Sequence, residues 1–165
     1  MDRVDVILQQ WSTARPDLDT TPMGVLGRLS RASRIVEKRL HTVFADHGLQ
    51  PGEFDILATL RRSADITGMS AGALAEAAMV TSGAITNRVD RLVAKNLVTR
   101  DLDPANRRVT LITLTPLGRD LIDHAVADHI TNEKQILAGL TSGEQARLAS
   151  LLRTLLTSLD DTCQD

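Results

Sequence analysis

The apolar residues of this chain repeat with a helical period along nearly its whole length, and the period changes between residues 97 and 115. There, the strand-like segments LVTRD and RVTLITLT flank LDPAN, which is rich in turn-forming residues. Short β-branched runs on either side of such a turn predict a small β-hairpin. The chain is therefore expected to be mainly α-helical with one small β element, an α+β arrangement.

Apolar spacing and capping residues predict seven helices around this hairpin. Thr21 is expected to cap the long second helix, with Pro22 as its first residue. In chain order, the helices are residues 3–14, the long helix that ends before Gly48, a helix opened by Pro51, a short helix capped by Ser70, residues 82–95, a helix from Pro116 to about Leu140, and a last helix after the Thr141–Glu144 capping box. Two short helices, a turn, a third helix and a hairpin form the layout of a winged helix-turn-helix.

Three regions follow from this order of elements. They are the N-terminal dimerisation helices at 1–47 with the extra helix 3–14, the winged helix-turn-helix DNA-binding domain at 48–114, and the C-terminal dimerisation helices at 115–165. The first helix carries an apolar stripe that includes Trp11, and the last carries leucines from Leu148 to Leu159. A small DNA-binding core cannot cover both stripes, so a second copy of the chain is the expected cover.

The composition excludes several classes of protein. Aromatic residues make up only 2% of the 165-residue chain, which argues against a stacking platform for single-stranded nucleic acid. Cys163 is the only cysteine, so a disulfide framework or cysteine-based metal site is not expected, and a reducing cytoplasmic setting fits. No apolar run is long enough to predict a membrane span.

No motif points to catalysis. The sequence shows no nucleophile motif, no metal-ligand spacing and no phosphate-binding loop, so neither an enzyme nor a bound cofactor is expected. His124 and His129 do not share a helix face well, and both are expected to be ordinary surface or interface histidines. A net charge of −2 argues against a basic coat but allows a local nucleic-acid surface.

The helix at 82–95 has a polar side that could meet DNA. Its inward-facing residues are Ile85, Val89 and Leu92. Ser82, Gly83, Thr86, Asn87 and Asp90 fall away from that stripe, most of them near the helix N-terminus. Small and amide side chains at this position suit entry into a major groove, and the helix start offers free amides to a phosphate. The alternative is a plain amphipathic helix with a solvated polar face.

Two arginines occupy the tip of the predicted hairpin. Arg107 and Arg108 follow the turn, where a protruding guanidinium could enter a minor groove and read its width. The alternative is a solvated turn, or an arginine tied to Asp101 or Asp103. One arginine could brace the loop while the other reaches DNA.

The segment LVTRDLDPANRRVTLITLTPLGRDLI resembles the wing and following helix of the MarR family of bacterial transcription regulators, and VTSGAITNRVDRLVAKNLV is similar to its recognition helix. The resemblance implies an obligate homodimer with interleaved terminal helices that binds a palindrome in double-stranded DNA. The DNA contacts that it implies are Ser70, Thr81, Ser82, Gly83, Thr86, Asn87, Arg91, Arg107 and Arg108. Asn106 departs from the family pattern, where Asp is usual.

Three charged residues sit among apolar neighbours. Asp55 interrupts FDILATL, Arg88 borders the inward face of the recognition helix, and Arg100 lies in the first wing strand. A half-buried carboxylate needs a partner or becomes partly protonated. One interpretation is an internal ion-pair network that locks the winged domain. Trp11, on the extra N-terminal helix, could simply pack at a dimer interface.

Together, Trp11, Asp55, Arg88 and Arg100 resemble the ligand residues of the urate-responsive branch of the MarR family, which has an extra N-terminal helix. The resemblance implies a small-molecule switch. Arg100 would pair with the urate anion, Trp11 would cover its face, and its charge would repel Asp55. Arg88 would carry the displacement to the recognition helix and release DNA. A different phenolic or aromatic ligand, or a helical interaction protein that does not bind DNA, are the alternatives.

Overall fold

The computed structural model of the chain describes residues 1–63, 68–78 and 82–161, with the side chains of residues 82–84 left out. Within these ranges it contains seven helices and one three-stranded antiparallel sheet. The helices and strands are α1 (Arg3–Ala14), α2 (Thr21–Asp46), α3 (Pro51–Arg62), β1 (Met69–Ser70), α4 (Ala71–Ala77), α5 (Ser82–Ala94), β2 (Val98–Leu102), β3 (Thr110–Leu114), α6 (Pro116–Ile136) and α7 (Ser142–Ser158). The predicted mainly α fold and its order of helices are confirmed.

Helix α1 is fixed to α2 by a reciprocal cap and an arginine. The Asp2 side chain accepts from the amides of Val4 and Asp5, and Asp5 accepts from the Asp2 amide in return. Arg28 of α2 donates to Asp2 through Nε at 2.8 Å and also binds Asp5. Val4 is buried against α2. The extra N-terminal helix is therefore an ordered part of the chain.

Most of the predicted helix boundaries agree with the structure, and two differ. Thr20, rather than Thr21, is the N-cap of α2, because the Asp19 carboxylate accepts the Thr21 amide and lets Thr21 join the helix. Helix α6 ends at Ile136 instead of near Leu140. The carbonyls of Leu137 and Leu140 beyond its end accept from the Gln145 amide group. The predicted caps at Ser70 and Thr141 are confirmed.

The hairpin has the predicted position and gains a third strand. β2 pairs with β3, with Val98 opposite Leu114 and Arg100 opposite Ile112. The two-residue strand β1 pairs with the other edge of β3, giving the order β1-β3-β2. This strand joins the start of α4 to the wing, so the helix-turn-helix and the hairpin form one unit.

The hydrophobic core lies where α3, α4, α5, α6 and the sheet meet. Ile85, Val89 and Leu92 are at most 1% exposed, so the predicted inward face of α5 is confirmed. They pack with other buried residues such as Ile56, Leu57, Leu74, Ile112 and Ile122. This core fixes α5 against α3 on one side and against the wing on the other.

The terminal helices present apolar residues to solvent in the single chain. Ile7 and Trp11 of α1 are 47% and 40% exposed, and Leu151 of α7 is 60% exposed. Helix α7 buries none of its residues. Within the described ranges, the structure contains no helix long and apolar enough to cross a membrane.

Candidate nucleic-acid interface and ligand site

Helix α5 exposes polar side chains opposite its buried stripe. Thr86 and Asn87 are exposed, while the neighbouring Ile85 and Val89 are buried. Thr81 and the side chains of Ser82 and Gly83 lie outside the described residues, and the predicted DNA contacts at these positions stay predictions. Ser70 is the N-cap of α4, where its hydroxyl accepts the Ala73 amide at 3.2 Å. The described part of this surface carries hydroxyl and amide groups suited to base edges.

The wing tip is closed by its own backbone and short side chains. Asp103 accepts the amide of Ala105 at 2.8 Å, and Asn106 accepts that of Arg108 at 3.2 Å. Asp101 accepts from the Thr99 hydroxyl at 2.9 Å. Among the described residues, neither Asp101 nor Asp103 holds a tip arginine, and the guanidinium groups of Arg107 and Arg108 are exposed and unpaired. Both remain available for a phosphate or a groove.

A buried glutamate joins α3 to α5. Glu53 is fully buried and accepts from Lys95 Nζ at 2.7 Å, the Gln50 amide at 2.9 Å and Arg91 Nε at 3.1 Å. Burial acts to raise the pKa of Glu53, but the bonds from Lys95, Gln50 and Arg91 outweigh it and leave the pKa lowered. Arg91, predicted to contact DNA, is thus already bound by a carboxylate, and its DNA contact stays a prediction.

Sequence analysis missed Glu53. One local signal was present, because Glu53 occupies the third helical position after Gln50, where a carboxylate commonly reaches back to the cap. Its partners, Arg91 in the last turn of α5 and Lys95 just after it, are 38 and 42 residues away in sequence, and no periodicity predicts that pairing.

Asp55 and Arg88 face each other across the same two helices. The Arg88 guanidinium lies directly over Gly52, where an added Cβ would collide with Arg88 Cζ and Nε. Arg88 Nη1 is buried and has no acceptor among the described residues. The Asp55 side chain is exposed at one edge, yet enough protein surrounds the carboxyl group that desolvation raises its pKa. The charges of Arg88, Arg62 and His129 oppose that rise without cancelling it.

His129 closes this region from α6. Its ring stacks on Phe44 and lies near Phe54, with centroid distances of 5.4 and 4.9 Å. Nε2 is 3.2 Å from Glu133 Oε1, and Nδ1 is buried without a hydrogen-bond partner in the described part of the chain. His129 therefore packs where α2, α3 and α6 meet, a location that its sequence context does not reveal.

Arg100 lies on the other side of α5. Its Nη1 is 2.5 Å from Asp90 Oδ1, and Nη2 is 3.4 Å from the Thr86 carbonyl. Asp90 and Arg88 are two residues apart on a helix and so point to opposite faces. Arg100 also lines a cavity of about 260 Å³ between α5 and the wing, shared with Thr86, Thr110 and Ile112.

Within a single chain, only Asp55 and Arg88 of the four predicted ligand residues lie next to each other. Arg100 belongs to the wing side of α5, and Trp11 is 40% exposed on α1, which packs against α2. Ion pairs do join α5 to its neighbours, but they differ from the alternative network of Asp55, Arg88 and Arg100. Arg91 binds Glu53 of α3, and Arg100 of the wing binds Asp90 of α5. Asp55 and Arg88 are left with opposite charges and incomplete hydrogen bonding.

Comparisons with known proteins identify this arrangement. A sequence model of the MarR family matches residues 47–109, which span α3, α4, α5 and most of the wing. The transcriptional regulator PecS of Dickeya dadantii is 40% identical over 149 residues, which cover 90% of each chain. The transcriptional regulator MhqR of Bacillus subtilis is 30% identical over 76% of this chain and 84% of its own.

A solved structure shows the same fold. It is BpsR of Bordetella bronchiseptica, described for the regulation of its DNA binding by 6-hydroxynicotinic acid. The superposition has a TM-score of 0.71 and 27% identity, and covers 84% of this chain and 95% of BpsR. With a winged helix-turn-helix of this geometry and these relatives, the chain belongs to the MarR family and is a transcriptional regulator that binds DNA.

Proposed function

We propose that the protein is a repressor that binds a palindromic operator as a homodimer and is released by a small anionic aromatic ligand, urate or a related purine. In the DNA complex, α5 presents Thr86 and Asn87 to the major groove. Arg107 and Arg108 reach a phosphate or the adjacent minor groove from the wing. The exposed polar face of α5 supports this arrangement, as do the two tip arginines, whose guanidinium groups have no partner in the described part of the chain.

The terminal helices support a homodimer. The apolar residues that they expose, such as Trp11, Leu151 and Leu159, are unusual for a monomeric surface. An apolar groove of about 450 Å³ runs between α1 and α2, lined by Ile7, Met23 and Leu26 among others. A second copy that interleaves its helices covers these faces and places two α5 helices for two half-sites of a palindrome.

The ligand proposal rests chiefly on Arg88 Nη1, a buried guanidinium nitrogen that lacks an acceptor in the described part of the chain and lies beside Asp55. An anion between α3 and α5 supplies that acceptor and repels the Asp55 carboxylate. Arg88 belongs to α5, so its movement displaces the recognition helix. BpsR, a relative regulated by a small aromatic acid, supports the ligand class. Urate fits this class, as does another phenolic or aromatic anion.

Release requires that the ligand bind the DNA-incompetent form more tightly than the DNA-competent one. In the dimer, Trp11 would cover the ring of the ligand. Arg100 would have to leave Asp90, on the opposite face of α5, before it could pair with the charge of the ligand, so this pairing requires the wing and α5 to move relative to each other. Because Trp11 is the only tryptophan, intrinsic fluorescence reports the occupancy of the site directly.

The test is a titration of the dimer on duplex DNA from the region upstream of its own gene, with urate, xanthine and salicylate as competing ligands. We expect urate to release DNA and to quench Trp11 fluorescence over the same concentration range. Release by salicylate alone would reassign the ligand to another aromatic anion. Absence of palindrome-specific binding and of a steep salt dependence would reject the regulator mechanism altogether.

A further inference from the structure

The Glu53 clamp, defined as Glu53 with its partners Arg91 and Lys95, is the most completely bonded charged group between α3 and α5 in the described part of the chain. Each Glu53 oxygen is engaged, one by Arg91 Nε at 3.1 Å and the other by Lys95 Nζ at 2.7 Å and the Gln50 amide. Lys95 also donates to the Gly48 carbonyl at 2.8 Å. The C-terminal half of α5 is thereby tied to the first turn of α3 and to the loop before it.

The clamp controls the direction in which α5 presents its outer face. Arg91 lies in the last turn of α5, and Lys95 follows one turn later, directly after the helix ends at Ala94. Asn87 lies one turn before Arg91 on the same side of the helix. Two directional bonds from this side to a buried, immobile carboxylate oppose rotation of the helix about its axis. Burial makes the carboxylate dependent on both cations, because an unpaired charge in that place is costly.

We propose that Glu53 is a positioning residue for operator recognition, which orients α5 through Arg91 and Lys95 so that Thr86 and Asn87 meet the base edges. The proposal rests on the proposed use of α5 in the major groove. It gives Arg91 a different role from the direct DNA contact that the family resemblance implies, since Arg91 acts here through Glu53.

The test compares Glu53→Gln with Asp123→Asn in the full-length dimer. Asp123 binds Arg61 at 2.6 Å on the surface of the winged domain, so both variants remove one carboxylate held by an arginine and change the charge equally. Binding is measured on the palindromic operator and on a random duplex of equal length. We expect Glu53→Gln to lower operator affinity about tenfold, the usual cost of one mismatched base pair, and to leave random-duplex affinity unchanged. Asp123→Asn should leave the ratio of the two affinities as in the wild type.

Arg91→Gln separates positioning from direct binding. If Arg91 binds a phosphate, this substitution weakens binding to both duplexes and lowers the salt slope by about one per phosphate. A positioning role predicts an unchanged salt slope and a lower operator-to-random ratio. It also predicts that Arg91→Gln adds little to Glu53→Gln in the double variant, because both changes break the same tie.

Equal operator-to-random ratios for Glu53→Gln, Asp123→Asn and the wild type would overturn the proposal. If Glu53→Gln does not fold, Lys95→Met is tested in its place, because this variant keeps the bond between Arg91 and Glu53. An operator-to-random ratio equal to that of the wild type in Lys95→Met would also overturn the proposal. A wild-type protein that does not distinguish the operator from the random duplex would refute the proposed function, and the clamp with it.

Discussion

Two carboxylates lie two residues apart on α3 and each interacts with an arginine of α5, yet their surroundings differ. Glu53 is fully buried and accepts three hydrogen bonds, and its pKa is lowered. Asp55 is partly exposed, its pKa is raised, and the neighbouring Arg88 has a buried nitrogen without an acceptor among the described residues. Both oxygens of Glu53 are hydrogen-bonded and tie α3 to α5. Beside Asp55, by contrast, Arg88 retains a buried nitrogen to which the proposed anion would bind.

This difference suits the proposed function, in which a DNA-binding protein also responds to a ligand. A recognition helix held rigidly at every point could not move, and one held nowhere could not read a sequence. With the Glu53 clamp at the C-terminal half of α5 and Arg88 one turn earlier, the helix has a fixed end and a movable one. A small displacement at Arg88 then turns the outer face about the clamp.

Removal of the Glu53 charge should have the largest effect. We expect Glu53→Gln to lower the free energy of unfolding by about 2 kcal/mol, because the neutral amide loses the charge-assisted hydrogen bonds from Arg91 and Lys95, while these two partly exposed cations can still be solvated. Urea denaturation followed by circular dichroism measures this decrease. Asp123→Asn, which breaks a surface pair, is the matched control and should cost less than about 1 kcal/mol. Equal decreases would mean that the clamp is no stronger than a surface ion pair.

Substitution of Arg88 should impair the ligand response. We expect Arg88→Met to raise the urate concentration needed for half-maximal DNA release at least about tenfold, the usual scale of allosteric coupling. Operator affinity without ligand should change little, because no described bond depends on Arg88 Nη1. Arg62→Met is the matched control, since Arg62 also acts on Asp55 but donates to the Ala77 carbonyl at 2.8 Å. A normal urate response in Arg88→Met would contradict the open-site interpretation.

The elements that sequence analysis predicted depend on local patterns. The inward face of α5, the hairpin at 98–114 and the cap at Thr141 each follow from residues within about one or two turns. The two-residue β1 is too short to leave a pattern. The Glu53 clamp and the stacking of His129 on Phe44 and Phe54 join residues far apart in sequence, so only the packed fold reveals them. For the same reason, sequence analysis grouped Arg100 with Asp55, although Arg100 binds Asp90 on the opposite face of α5.

Neutralising Asp55 should change the free energy of unfolding less than neutralising Glu53 does, and in the opposite direction. We expect Asp55→Asn to raise the free energy of unfolding at neutral pH by no more than about 0.5 kcal/mol, because folding raises the pKa of this carboxyl and so disfavours its charged form, while solvent at its exposed edge screens the effect. The measurement is the same urea titration, with Asp123→Asn as the control. A destabilised Asp55→Asn would show that the attraction of Arg88 outweighs desolvation, and the contrast between the two carboxylates would fail.

The smallest expected effect is the pH dependence of two stability differences, one between the wild type and Glu53→Gln and the other between the wild type and Asp55→Asn. The pKa of Glu53 is lowered on folding, so its stabilising contribution is complete above the ordinary Glu pKa of about 4.3 and disappears as the pH falls through the lowered value. The stability gap between wild type and Glu53→Gln should therefore narrow in acid. The pKa of Asp55 is raised on folding, so the advantage of Asp55→Asn exists above that raised pKa and disappears as the pH falls below about 3.9.

Urea titrations at intervals of roughly half a pH unit between about pH 3 and 7 measure both differences in the free energy of unfolding. Subtracting the value of each variant from that of the wild type cancels the contribution of the other titrating groups. On acidification, the wild type should lose stability relative to Glu53→Gln and gain it relative to Asp55→Asn. If the wild type lost or gained stability on acidification relative to both variants alike, the two carboxylates would lie in the same kind of environment. Opposite changes would show that Glu53 and Asp55, two residues apart on one turn of α3, differ as described, with Glu53 stabilised in its charged form and Asp55 destabilised in it.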